Sequence, residues 1–111
     1  MASLVNLGEF EQLVLLAILR LGKHAYGVTI RAELHDRAGR SITPGALYTA
    51  LERLESKGLI TSRMGDPTPQ RGGRAKRYVT VTGAGRQALT RAVRAYERLL
   101  DGLDLLRGAH A

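Results

Sequence analysis

Cysteine and tryptophan are absent from the sequence, and aromatic residues make up only 5% of it. Without cysteine there is no disulfide, no thiolate metal ligand and no cysteine nucleophile. Such a composition suits a reducing compartment, and a cytoplasmic location is expected. Acidic residues are the minority sign: ten Asp and Glu face seventeen Lys and Arg, leaving a net charge of +7. A balance this basic favours a polyanionic partner, nucleic acid ahead of an anionic membrane. Long apolar runs are missing too. The longest, Leu13 to Leu19, falls far short of the roughly 20 residues that cross a bilayer. The opening Met1-Ala2-Ser3-Leu4 has no basic stretch or cleavage site, which predicts no signal peptide. What remains is 111 residues, 44% hydrophobic, expected to form one small soluble domain of modest stability.

Apolar spacing predicts helices first. Asn6-Leu7-Gly8-Glu9 reads as a capping box, opening a helix that runs to about Arg20 or Leu21 and is apolar nearly all round. Such a helix needs cover on more than one side. A second helix is predicted from Ala25 to Ala38, with Ile30, Leu34 and Ala38 on one stripe. Gly27 inside it costs about 1 kcal/mol against Ala, which suggests close approach of another helix. Gly39-Arg40 stops it. Thr43-Pro44 opens a third helix, Thr as cap and Pro at the position where a missing N–H costs nothing. Its buried stripe is Leu47, Ala50, Leu51 and Leu54, and Lys57-Gly58 closes it.

Beyond Gly58 the period changes from 3.6 to 2. Leu59 to Met64 and Arg77 to Val81 read as strands, joined by a Gly- and Pro-rich loop. Thr82 then caps a last helix, predicted from Ala84 to Leu106. Leu89, Ala92, Val93, Tyr96, Leu99, Leu100, Leu103 and Leu106 recur along it at heptad-like spacing, the pattern of a homodimer seam.

Helix, helix, helix, strand, loop, strand, long helix is the order of a winged helix-turn-helix. The fold class is therefore mainly α (α+β), with residues 1–82 as a DNA-binding unit and residues 83–111 as a C-terminal dimerisation helix. In this arrangement the third helix enters the major groove of double-stranded DNA. Its leading turn is small, so its backbone and its positive dipole end can approach a phosphate. Thr43, Gly45, Ala46, Tyr48, Thr49 and Arg53 are the candidate contacts there. Glu52 and Glu55 oppose DNA, tolerably, because the second half of the helix points out of the groove. Arg71, Arg74, Lys76 and Arg77 make the wing basic, suited to a minor groove where negative potential concentrates.

The segments Ala25 to Ile30, Gly45 to Ile60 and Arg74 to Thr82 together resemble the signature of PadR-type transcriptional regulators, with the match extending over about residues 7 to 90. The resemblance implies a dimeric repressor on an inverted-repeat operator, with Tyr26 and Tyr48 facing DNA. A single helix after the wing is similar to the family's shorter subgroup. Some short members hold aromatic drugs between tryptophans at the dimer interface. This chain has no tryptophan, so its residues specify no small-molecule effector, and an unknown one stays open.

No catalytic constellation stands out, and a non-enzyme is expected. His24, His35 and His110 lack ligand spacing, and adjacent His35 and Asp36 are expected to point different ways, so neither a metal nor a cofactor is predicted. Gly83-Ala84-Gly85 is a helix start and lacks the setting of a phosphate loop. Two rivals remain: a winged-helix module for protein–protein contact, and a nonspecific DNA binder.

Overall fold

Each helix begins where a nearby group can answer its free N–H groups, and those starts set the phase of everything that follows. The computed structural model describes residues 6–65 and 76–108. Helix α1 spans Glu9–Leu21, followed by a 3₁₀ turn at Gly22–His24. Its capping box is displaced from the predicted one. Gly8 is the cap, and its N–H donates to Glu11 Oε1 at 2.9 Å. Glu9 pairs instead with Arg40. The displacement follows from Lys57, whose ammonium binds both oxygens of Glu11 at 2.8 and 2.9 Å and the carbonyl of Asn6 at 2.9 Å.

Helix α2, Gly27–Ala38, starts two residues later than predicted. Thr29 Oγ1 accepts the Tyr26 N–H at 3.0 Å and reaches the His24 carbonyl at 2.5 Å, ending the preceding turn. Gly27 therefore opens the helix. A Cβ placed on it would meet nothing within 4 Å, so the close helix approach expected there is absent. Gly39 closes α2 at φ 66, a left-handed conformation that glycine adopts without strain. Arg31 Nε donates to the Ile42 carbonyl at 2.7 Å and pins the turn. Helix α3, Pro44–Ser56, starts as the sequence predicts: Thr43 Oγ1 accepts the Ala46 N–H at 3.1 Å.

Strands β1, Ile60–Met64, and β2, Arg77–Val81, pair antiparallel, with Ile60 opposite Val81 and Met64 opposite Arg77. The Val79 N–H also donates to the Ala25 carbonyl at 3.0 Å, which ties the sheet to the segment before α2. One sheet face sends Ile60, Val79 and Val81 into the core. The other carries Arg63 opposite Tyr78. The core is one cluster, built from Val14, Leu15 and Ile18, Ile30 and Leu34, and Leu47, Leu51 and Leu54, with the strand residues closing it.

Helix α4, Gly83–Leu100, is capped by Thr82, whose Oγ1 accepts the Gly85 N–H at 3.0 Å and donates to the Gly58 carbonyl at 2.8 Å. It stops six residues before the predicted end. Gly102 takes φ 82, and the chain turns before a short helix α5 at Leu105–Gly108. The apolar pattern runs through the break, but the helix does not. Leu103 and Leu106 lie beyond it. Leu89 also departs from the predicted seam: it is 5% exposed, in the protomer's own core with Ala88. The reason is that the first half of α4 lies against α1 and β2.

No helix among the described residues is long and apolar enough to cross a membrane.

Gly85 marks the closest approach of α4. A Cβ there would overlap the Leu59 carbonyl oxygen and Val81 Cγ1, whereas one on Gly83 would meet nothing. Gly85→Ala should destabilise the fold by about 1–3 kcal/mol in urea unfolding. Gly83→Ala should be neutral or gain up to about 1 kcal/mol. Equal behaviour of the two would show that α4 docks elsewhere.

Burial pushes the Glu11 carboxyl up, but hydrogen bonds from Lys57 and the Gly8 N–H outweigh it and hold the pKa below the usual range. A lowered folded value stabilises the fold above the unfolded value of about 4.3. That contribution disappears as pH falls through the folded value. Glu11→Gln should cost about 1–3 kcal/mol at neutral pH. The gap from the parent chain should close in acid, as read by thermal unfolding across pH.

Candidate nucleic-acid interface

The leucines of α3 decide which side of it faces outward. With Leu47, Ala50, Leu51 and Leu54 buried, the 100° step between residues forces Tyr48, Thr49, Glu52 and Arg53 into solvent. Tyr48 is 58% exposed. Thr43, Pro44, Gly45 and Ala46 are all exposed too, so the leading turn presents small side chains and backbone. Thr43 is partly committed, because its oxygen already caps the helix.

Tyr26, at the start of α2, is half-buried. Its ring meets Tyr78 edge to face, with centroids 5.4 Å apart. Lys76 Nζ lies 4.9 Å from the Tyr26 ring centre, and the Arg63 guanidinium lies 4.8 Å from that of Tyr78. Lys76, Tyr26, Tyr78 and Arg63 thus form a continuous ladder of cations and rings at the base of the wing. Arg63 and Tyr78 were not among the residues the sequence marked. Their pairing depends on the strand register, which a long loop leaves unspecified.

Arg71 and Arg74, the other predicted wing cations, lie outside the described residues. Arg77 has a different setting from the one expected of it. Its guanidinium binds Glu52 Oε1 at 2.8 Å and Glu55 Oε1 at 2.5 Å, and lies 5.8 Å from the Tyr48 ring centre. Ser62 Oγ donates to Glu55 at 3.0 Å. Burial works to lower the Arg77 pKa, but its bonds to Glu55 and Glu52 outweigh burial and raise it. The Arg77 hydrogen bond, helped by Ser62, holds Glu55 below the usual carboxylate range. Both carboxylates that opposed DNA binding are therefore matched from β2, and the wing is fastened to α3. His35 and Asp36, expected to diverge, touch at 3.2 Å between Nδ1 and Oδ1 on the exposed side of α2.

Three helices with a tight turn between the second and third, followed by a two-stranded hairpin on the flank of the third, define a winged helix-turn-helix protein. The chain matches the family described as Transcriptional regulator PadR-like over residues 15–91, and it belongs to that family. The transcriptional regulator Rv3488 of Mycobacterium tuberculosis is 43% identical over 76 residues, covering 67% of this chain and 64% of that protein. The match thus spans just under two thirds of the mycobacterial relative's length. Among solved structures, a PadR family transcriptional regulator from Eggerthella lenta superposes with a TM-score of 0.65 at 30% identity, over 88% of this chain and 85% of that one. Another from Clostridium difficile gives 0.64 at 26% identity, over 85% and 96%.

If Arg77 fastens the wing, Arg77→Gln should speed hydrogen exchange at the Gly65 N–H, which donates to the Lys76 carbonyl at 2.7 Å. The double change Glu52→Gln with Glu55→Gln should do the same, while amides of Leu47 to Leu54 stay protected. No change in exchange at Gly65 would mean the three ion-paired groups carry none of the attachment.

Proposed function

We propose that the chain represses transcription as a cytoplasmic homodimer bound to an inverted-repeat operator in double-stranded DNA. The observation that carries this reading is the two-sided nature of α3: leucines inward, and Gly45, Ala46, Tyr48 and Thr49 outward. A leading turn of small residues lets the helix backbone seat in a major groove, and its N–H groups favour phosphate. Tyr26 and Tyr48 supply hydroxyls to phosphate or sugar, with Thr43 and Arg53 on either side of the base-reading positions. Lys76, Arg71 and Arg74 act through minor-groove potential or flanking phosphates. Arg77 acts by neutralising Glu52 and Glu55.

Support for the dimer comes from the apolar residues left in solvent beyond the core. Val93, Tyr96, Leu99 and Leu100 on α4 are all exposed, Leu99 by 78%, and Leu103 and Leu106 extend the stripe. Ala92 lies beside them, half-buried. A second copy related by a two-fold axis supplies the same stripe and covers it. Residues 83–111 then form the dimerisation segment and residues 1–82 the DNA-binding unit.

Arg74→Ala should weaken binding to every sequence alike and lower the salt slope by about one unit. Parent affinity for the operator should lie near 10⁻⁸ M, an order-of-magnitude figure. Salt-sensitive binding equal on all sequences would replace this reading with a nonspecific binder, and no DNA binding would leave a protein–protein module. Leu99→Asp should dissociate the dimer in sedimentation, because it buries an unpaired charge. An intact dimer would remove that residue from the seam.

A further inference from the structure

Away from α3, a pocket of about 440 Å³ opens between the end of α1, the sheet and the start of α4. Its apolar lining is Ile18, Leu19, Val79 and Val81, and Lys23, Arg63 and Arg86 stand around it. No carboxylate lines it. Among the described residues none of these three cations has an acidic partner, although Arg20, Arg37, Arg40, Lys57 and Arg77 all have one. Three like charges converging on one hollow repel one another, and an anion placed among them relieves that repulsion.

We propose that this pocket binds a small amphipathic organic anion, with a carboxylate, sulfonate or phosphate group held by Lys23, Arg63 and Arg86 and an apolar body lying on the valines and Ile18. The apolar lining sets the ligand class. A DNA phosphate needs the cations alone, whereas an amphipathic molecule uses both halves of the site. The exposed α4 stripe, in contrast, offers apolar surface without a matching cluster of cations facing a hollow.

The site also has a route to the wing. Arg63 and Tyr78 are pocket residues and at the same time two members of the ladder that runs through Tyr26 to Lys76. A ligand that draws the Arg63 guanidinium towards its anionic group removes it from the Tyr78 ring. The wing base then loses one of the contacts that set its angle to α2. This coupling, unlike the binding itself, rests on the DNA-binding reading above. It must be reciprocal: an anion that weakens DNA binding is itself bound less tightly by the DNA complex.

The test uses anilinonaphthalene sulfonate as the anionic probe and uncharged phenyl naphthylamine as its control, each titrated into the full chain without DNA and followed by backbone amide NMR shifts. The sulfonate should move the amides of Gly22, Lys23, Thr80 and Arg86, and the neutral control should not. The combined variant Lys23→Gln, Arg63→Gln and Arg86→Gln should weaken the sulfonate at least about tenfold. Arg86→Glu alone, a change at one exposed position, gives the same direction should the triple variant unfold. Shifts confined to Tyr96–Leu106, or equal binding of the neutral control, would overturn the site. So would a triple variant that binds the sulfonate normally but loses about three units of DNA salt slope, which would assign the cations to the duplex. Because the titration contains no DNA, a chain that failed to bind any operator could still pass it.

Discussion

The arrangement depends on one constraint: the leucine stripe of α3 must stay in the core. Burying each of Leu47, Leu51 and Leu54 contributes about 1.5–3 kcal/mol, more than any single surface contact of the same helix. Rolling the helix to hide Tyr48 and Thr49 would lift at least one of those leucines into water. Burial therefore fixes an outward face that plays no part in stability, and that face is left to carry function. Thr43 and Pro44 hold the helix in phase at one end, and the Lys57–Glu11 pair fastens the other end to α1.

Electrostatics refine this arrangement without creating it. A helix offered to DNA is poorly served by two carboxylates on its exposed side, and Arg77 matches both from the neighbouring strand. One guanidinium thereby removes an unfavourable field and ties the hairpin to the helix. Ladder contacts on the opposite sheet face hold the same hairpin to the start of α2. The wing is gripped from both faces, by ion pairs on one side and by rings and cations on the other.

What could be read from the sequence divides along physical lines. Helix α3 was legible to the residue because its signals are local: Thr43-Pro44 at one end, Lys57-Gly58 at the other, and leucines at helical spacing between. The cap of α1 was not, since Glu11 is held by Lys57, distant in sequence and close only once the chain folds. The break at Gly102 was hidden by an apolar pattern that continues past it. Leu89 shows a further limit. Periodicity reveals that a side chain will be covered, but not whether its own protomer or a second one covers it. Arg77 was taken for a wing cation because sequence alone shows its basic neighbours and not the two glutamates across from it.

The central proposition is that the outward side of α3 reads a specific, two-fold symmetric site. Selection of bound fragments from a random pool of double-stranded oligonucleotides measures this directly. The account predicts an enriched inverted repeat whose half-site centres lie about one helical turn, roughly 34 Å, apart. A pool that binds but converges on no sequence, or on one without two-fold symmetry, would contradict it.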